Sequence, residues 1–129
     1  MDKKKILEDI KTYITENDLN DKEILKFISD LKLDIVCDYY KDKEGIYVIK
    51  KKGTVEKFDR DKLFNSLANT SDAAGTMMTK SDIEIVIREV NRKIEANNRN
   101  VVTTVELRDY VTNSLIDNSY TKVEQMYNS

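Results

Sequence analysis

The chain has 129 residues, 22 of them basic and 24 acidic, and this length predicts one domain with at most a small appendage. The chain lacks histidine, which excludes imidazole catalysis, and has one cysteine, which excludes an intrachain disulfide and a cysteine-based zinc ribbon. It also lacks proline, which indicates a mostly helical chain. The net charge of −2 argues against a large DNA-binding surface, and no apolar run approaches the ~20 residues that cross a bilayer, so we expect a cytoplasmic protein without membrane contact.

Two amphipathic helices are predicted at the N-terminus. The first follows apolar residues at helical spacing from Ile6 to Ile14 and fades near Asn17. The second begins after Asn20, a residue that suits the N-cap, and Glu23 lies in the position that completes a capping box.

Two features separate these helices from the rest of the chain. In residues 33–40 apolar and polar positions alternate, and although Val36 and Tyr40 interrupt the alternation, the pattern favours a strand. The polar segment 42–45 follows and is the best candidate for a domain boundary. We therefore predict an N-terminal helical extension over residues 1–45 and a second domain over residues 46–129.

The second domain begins with strand signals and continues with helix signals. Residues 46–51 and 55–58 are β-prone and flank Lys52-Gly53, which predicts a hairpin with a two-residue turn. A third short strand is expected at Val101-Val102. The four helices of this domain are predicted to start at Asp59, at Thr79 or Ser81, at Thr103, and at Thr121. The fold class that follows is α+β, mainly α: a small helical bundle capped by a short β-hairpin or three-stranded sheet, with the N-terminal helical extension beside it.

The hairpin carries the densest group of basic residues. Strand alternation would place Lys50 and Lys52 on one face and Lys51 on the other. Lysines near a tight turn can bind phosphate oxygens, and the helix that starts after Phe58 would add free backbone N–H groups. The alternative is a solvated hairpin whose lysines keep an exposed strand edge from pairing with other chains, and spacing alone favours this alternative.

A resemblance to a known family favours the phosphate interpretation. The residues from Val48 to Leu63 read Val-Ile-Lys-Lys-Lys-Gly-Thr-Val-Glu-Lys-Phe-Asp-Arg-Asp-Lys-Leu. They resemble the pattern Val-x-Lys-Arg-Asp-Gly-x-x-Glu-x-Phe-Asp-x-x-Lys-Ile of the ATP-cone, a nucleotide-binding regulatory domain of ribonucleotide reductases and of the bacterial repressor of their genes. Later segments of the chain, 83–94, 101–111 and 115–127, resemble the family's central helix, its strand with the following helix, and its closing segment.

The resemblance implies a four-helix bundle under a small β lid, with an adenine nucleotide between them. By this resemblance Lys50 and Lys51 would contact phosphates, and Lys62 would reach back to the nucleotide. The full set of implied nucleotide-binding residues is Val48, Ile49, Lys50, Lys51, Glu56, Phe58, Asp59, Lys62, Thr79 and Lys80. The ligand would be ATP or dATP, bound with Mg²⁺ through its phosphates, and no dedicated metal site or catalytic residue is predicted.

The chain also departs from the family pattern. Lys51 stands where the family has Arg, which loses the planar fork of a guanidinium, and Lys52 stands where it has Asp. No reductase catalytic domain follows, and Cys37 alone cannot form the repressor's four-cysteine zinc ribbon. The chain is therefore expected to be a free-standing ATP-cone or a fragment of a longer protein.

These observations lead to one principal hypothesis and two alternatives. The principal one is a non-catalytic regulatory domain that senses ATP or dATP, is linked to ribonucleotide reduction, and controls association with itself or with a protein partner. The first alternative is a degenerate ATP-cone that acts as a protein interaction module without ligand. The second, a nucleic-acid-binding transcriptional regulator, is disfavoured because neither a zinc ribbon nor a recognition helix is recognisable.

Overall fold

The structure, a computed structural model, describes residues 2–129 and divides into two compact units, one up to Tyr39 and one from Tyr40 onward. The predicted boundary between residues 45 and 46 stays a prediction. Among the described residues, no helix combines the length and the apolar character that crossing a membrane requires.

The first unit is a pair of helices. Helix α1 spans Lys3–Glu16, and helix α2 spans Asp21–Tyr40, whose last residue begins the second unit. The predicted capping box of α2 is confirmed: the Glu23 backbone N–H donates to the Asn20 side chain at 2.9 Å, and the Asn20 N–H donates to the Glu23 carboxylate at 3.1 Å. The rings of Tyr13 and Phe27 stack at 4.6 Å, yet neither helix has a buried residue.

The strand prediction for residues 33–40 is wrong, because α2 continues through this segment. The residues that are half-buried here are Leu33, Val36, Cys37 and Tyr40, and Ile35 is exposed. Spacings of three and four residues belong to a helix, since a strand would bury every second position. The apparent alternation came from reading Ile35 as an inward position.

The second unit contains a three-stranded sheet with the order β2-β1-β3. Strand β1 spans Tyr47–Ile49, β2 spans Val55–Lys57 and β3 spans Val101–Thr103. Strand β1 is antiparallel to β2 and parallel to β3. The central strand is thus held by its sequence neighbour on one side and, on the other, by a strand that lies beyond two helices.

Four helices pack into a bundle beside this sheet. Helix α3 spans Arg60–Ala73, α4 spans Lys80–Ala96, α5 spans Thr104–Asp117 and α6 spans Thr121–Tyr127. Capping boxes start α4 at Thr79 with Asp82 and α5 at Thr103 with Glu106, so the sequence signals for helix starts are confirmed. The observed architecture confirms the fold class, α+β and mainly α.

The core lies between the sheet and the bundle. Helix α4 supplies its largest share, with the stripe Ile83, Val86, Ile87, Val90 and Ile94 almost completely buried. The same core takes in Val48 from the sheet and Leu67 from α3. The apolar stripes of these helices are therefore ordinary core, which is the usual reason for helical periodicity.

Candidate functional site

A cleft of about 260 Å³ opens between the hairpin, the start of α3 and one side of α5. Its apolar lining comes from Val48 on β1, Phe58 before α3, Leu63 on α3 and Leu107 on α5. Its charged lining comes from the hairpin and the first turn of α3: Lys50, Glu56, Lys57, Asp59 and Lys62. The cleft therefore combines an apolar floor with three ammonium groups and two carboxylates at its rim.

The turn of the hairpin, which forms one wall of the cleft, is longer than predicted. The Lys50 N–H donates to the Thr54 carbonyl at 2.8 Å, and the Gly53 N–H donates to the Lys50 carbonyl at 3.0 Å. Three residues therefore form the turn instead of two, and Gly53 takes φ +91°, which glycine adopts without strain. Lys51 and Lys52 lie in this turn and are exposed, so the prediction that strand alternation separates them onto opposite faces is wrong.

Lys50 is the lysine that the structure ties to another charged group of the cleft. Its Nζ lies 3.7 Å from a carboxylate oxygen of Glu56, and both side chains are nearly half exposed. An exposed pair of this kind contributes only about 0–1 kcal/mol. A more highly charged anion could therefore take Lys50 from Glu56 at little cost.

The start of α3 offers less to an anion than the sequence suggested. One carboxylate oxygen of Asp59 accepts the backbone N–H groups of Asp61 at 3.0 Å and Lys62 at 3.1 Å. These two groups are therefore not free, and the prediction of free N–H groups at this helix start is wrong for them. Positive charge at this end of the cleft comes from the Lys62 side chain instead.

The structure brings six of the ten predicted nucleotide-binding residues to one cleft: Val48, Lys50, Glu56, Phe58, Asp59 and Lys62. Ile49 is buried, and Lys51 lies in the exposed turn. Thr79 caps α4, and Lys80 lines a different, shallow cavity together with Glu84 and Arg88. These last four residues are not part of the cleft lining.

Three residues of the cleft were absent from the predicted set: Lys57, Leu63 and Leu107. Leu63 and Leu107 lie on the apolar faces of α3 and α5, and helical periodicity does not distinguish a core position from the floor of a cleft. Lys57 could have been found, because it neighbours Glu56 in the basic hairpin.

A polar network lies at the start of α5, the helix that supplies Leu107 to the cleft. The guanidinium of Arg99 pairs with both carboxylate oxygens of Glu106, which also accepts the Thr103 N–H at 2.9 Å. Partial burial raises the pKa of Glu106, but the bonds from Arg99 and Thr103 outweigh it and hold this pKa below its usual value. Next to this network, the Thr104 hydroxyl donates to the Ile49 carbonyl at 2.9 Å and so ties α5 to the end of β1.

The described residues contain no group of three or more acidic or cysteine side chains arranged to hold a metal ion. Glu56 and Asp59 are the carboxylates of the cleft, and Asp59 is already engaged as a helix cap. Magnesium ions commonly bind through one or two carboxylates together with substrate phosphates. Of the two carboxylates, Glu56 is the one that is not engaged as a helix cap.

Comparison with known proteins gives the fold and the cleft a family context. A family model described as the ATP cone domain matches residues 46–127. The transcriptional repressor NrdR of Streptococcus uberis is 32% identical over 72 residues, which cover 56% of this chain and 43% of the relative. The protein of the same name from Streptococcus pneumoniae is 26% identical over 76 residues, covering 59% of this chain and 47% of the relative.

The chain thus spans less than half the length of these curated relatives. The family match begins next to β1 and ends at the last residue of α6, so it takes in every strand, the four bundle helices and all residues of the cleft. An ATP-cone is a regulatory domain, which confirms the expectation that this part of the chain is not an enzyme. The resemblance noted in the sequence is likewise confirmed: the chain belongs to the ATP-cone domain family.

Proposed function

We propose that this protein senses adenine nucleotides by binding ATP or dATP in the cleft between the hairpin, α3 and α5. The observation that carries the proposal is the cleft itself, in which Lys50, Lys57 and Lys62 surround an apolar floor in a member of the ATP-cone family. A flat base and a polyphosphate need these two kinds of surface side by side.

The apolar floor suits the base. Val48 and Leu63 are almost completely buried, whereas Phe58 and Leu107 are only partly buried and keep surface toward the cleft. Aromatic and aliphatic side chains stabilise a bound ring by removing its faces from water. We place the adenine against Phe58 and Leu107.

The size of the cleft constrains where the phosphates lie. Its volume of about 260 Å³ is just below the roughly 300–1,000 Å³ that is usual for a small-molecule site. The nucleoside would fill it, and the phosphates would extend toward the exposed hairpin turn. There Lys51 and Lys52, which lie outside the cleft lining, could join Lys50 as phosphate ligands.

Magnesium would enter this site with the nucleotide. We assign its protein contact to Glu56, whose carboxylate is released when a phosphate takes Lys50. The ion would neutralise phosphate charge that the lysines leave uncompensated.

The domain would act by coupling nucleotide binding to association, with itself or with a protein partner in the cytoplasm. Such coupling requires that the associated and free states differ in nucleotide affinity. The family context makes control of ribonucleotide reduction the process we propose for it.

A second candidate function is a part in transcriptional repression, since the relatives are named transcriptional repressors. It would require the chain, alone or with a partner, to contact DNA. Fluorescence anisotropy with duplex DNA at low and raised salt tests it, because phosphate contacts lose affinity steeply as salt rises. The measurement is made with and without ATP. Salt-sensitive binding in either case would support this candidate, and no binding with or without ATP would reject it for this chain alone.

The proposal is tested by titrating the full chain with ATP and with dATP, with Mg²⁺ present, in a calorimeter. We expect binding of at least one nucleotide and, for Lys50→Ala, affinity weaker by roughly 10- to 100-fold, because one charge-assisted phosphate contact is lost. Lys122→Ala, an exposed lysine on α6, is the matched control and should bind like the parent. No heat at millimolar nucleotide would reject the proposal in favour of an interaction module without ligand. Equal loss in both variants would show that the nucleotide binds outside this cleft.

A second substitution separates attraction from repulsion within the cleft. Glu56→Gln removes a negative charge 3.7 Å from Lys50, so without Mg²⁺ we expect it to tighten nucleotide binding several-fold. With Mg²⁺ the gain should shrink or reverse, because the assigned ion ligand is lost. Weaker binding in the absence of Mg²⁺ would contradict this assignment of Glu56.

A further inference from the structure

One hydrogen bond joins two of the elements that line the cleft, the hairpin and α5. The hydroxyl of Thr104, the first residue of α5, donates to the carbonyl of Ile49, the last residue of β1, at 2.9 Å. Lys50 follows Ile49 directly, and Leu107 lies one turn further along α5. Thr104 is not part of the cleft lining, but it connects the backbone beside Lys50 to the helix that supplies part of the floor.

The backbone of Lys50 is held from both sides of the central strand. On the side of β3, the Ile49 carbonyl accepts the Thr104 hydroxyl. On the side of β2, the Lys50 N–H donates to the Thr54 carbonyl at 2.8 Å and the Lys50 carbonyl accepts the Gly53 N–H at 3.0 Å. Successive residues of a strand direct their backbone groups to alternate sides, so these bonds act on neighbouring residues. Together they fix the direction in which the Lys50 side chain leaves the strand.

The ammonium group of Lys50 is held much more loosely than its backbone. It lies 3.7 Å from a Glu56 carboxylate oxygen in a pair that is nearly half exposed, and such pairs contribute little to stability. The ammonium group can therefore leave Glu56 for a phosphate oxygen while the backbone stays in place. A backbone that is fixed before the ligand arrives reduces the conformational entropy lost on binding.

The α5 end of the connection is also fixed. Thr103 and Glu106 form the capping box that starts this helix. Within its first turn Thr104 and Leu107 are three residues apart, about 4.5 Å along the axis and on one side of the helix. A displacement of β1 away from Thr104 would therefore change the width of the cleft between the hairpin and the floor.

We propose that Thr104 is a positioning residue of the nucleotide site, whose hydroxyl sets the spacing between Lys50 and the apolar floor at Leu107. The base and the phosphates of a nucleotide are joined covalently, so the two surfaces that bind them must stand at a matching distance. This inference rests on the proposed binding of nucleotide in the cleft, and it adds the contact that matches the site to both parts of the ligand. Thr104 acts in it through Ile49 and Lys50.

The first test is a calorimetric titration of the full chain with ATP and with dATP in the presence of Mg²⁺. Thr104→Val keeps the shape of the side chain but removes the hydroxyl, and we expect affinity weaker by roughly three- to tenfold, the usual value of one hydrogen bond. Thr104→Ser keeps the hydroxyl and should bind like the parent. Thr112→Val is the matched control and should also bind like the parent, because the Thr112 hydroxyl oxygen, also on α5, accepts from Asn128 outside the cleft lining.

A double substitution shows whether Thr104 acts through Lys50. In a Lys50→Ala background, Thr104→Val should weaken nucleotide binding by less than about twofold, because the phosphate contact that it positions is already lost. A further loss as large as in the parent background would show that Thr104 acts independently of Lys50 and would overturn the assigned role.

The same role is measured without nucleotide from hydrogen exchange of the Lys50 amide by NMR. Thr104→Val should speed this exchange several-fold and Thr104→Ser should restore it, while the helical circular dichroism stays that of the parent. Unchanged exchange in Thr104→Val would overturn the proposal. If Thr104→Val does not fold, Thr104→Ala, which also removes the hydroxyl and is smaller, replaces it in every comparison.

The outcomes separate this inference from the proposed function. If the parent binds nucleotide and Thr104→Val binds it equally well, or if Thr104→Ser shows the same loss as Thr104→Val, the role of Thr104 is overturned and the cleft remains the nucleotide site. A parent chain that binds no nucleotide would reject the proposed function and this inference with it.

Discussion

The helices of the two units begin in the same way, but the two units bury their apolar residues to different extents. Helices in both begin with reciprocal capping boxes, at Asn20 in the first unit and at Thr79 and Thr103 in the second. In the second unit the apolar stripes are covered and form a core, whereas α1 and α2 have no buried residue. An apolar stripe thus shows which face of a helix needs covering, and says nothing of whether the same chain covers it.

The largest effect is expected from replacing a leucine by alanine in each unit and comparing the losses of stability. Leu67→Ala in α3 removes a fully buried side chain and should lower the free energy of unfolding by about 2–5 kcal/mol. Leu7→Ala in α1, where the leucine is half exposed, should lower it by less than about 1 kcal/mol. Urea unfolding is best followed by circular dichroism because the chain lacks tryptophan. Equal losses would mean that α1 belongs to the cooperative core.

Removing a helix cap from each unit is a smaller perturbation. Thr103→Ala should destabilise the second unit by about 0.5–2 kcal/mol, the usual cost of losing a cap. Asn20→Ala should reduce the helical signal while leaving the main urea transition in place, because α2 contributes no buried side chain. A main transition that moves equally in both variants would show that the two units unfold together.

The smallest effect should appear as a dependence on pH. The pKa of Glu106 is lowered in the folded protein, so the ionised carboxylate stabilises the fold above its ordinary value of 4.5, and this contribution is lost as pH falls through the lower folded value. Glu106→Gln should therefore cost stability at pH 7 and flatten the loss of stability on acidification. Urea midpoints measured at pH 7 and at an acidic pH below the ordinary value of this carboxyl test the prediction. The control is Glu95→Gln, at an exposed residue of α4, which should lose stability between the two pH values as the parent does.

The parts of the fold that were predictable are those that neighbouring residues determine. Asn20, Asp59 and Thr103 each bring a side-chain oxygen to the backbone of the next turn, so the helix starts could be located from the sequence. Residues 33–40 were misassigned because a mixed apolar pattern fits two periods, and only the packing of the folded chain decides between them. The sheet order was beyond local reasoning, since β3 joins β1 through a parallel pairing across two intervening helices.

The candidate site likewise has a part that local sequence predicts and a part that it does not. Its charged rim, including Lys50 and Glu56, was visible as a local run and as a family motif. Its floor was only partly visible, because Leu107 lies far along the chain and carries no sequence mark that distinguishes it from a core residue. Local motifs report the groups that recognise a ligand more readily than the surface on which it rests.

The central position of β1 has a consequence for how the protein is made. The hairpin can form as soon as its residues leave the ribosome, but the Thr104 hydroxyl and the Ile49 carbonyl that join its end to α5 are 55 residues apart in sequence. Contacts of such separation close late, because the intervening chain must first give up its freedom. The lysines of the hairpin are therefore synthesised well before Leu107 can complete the floor. A nascent chain would therefore expose the lysines of the site before the pocket exists, and the nucleotide could bind only to the folded domain.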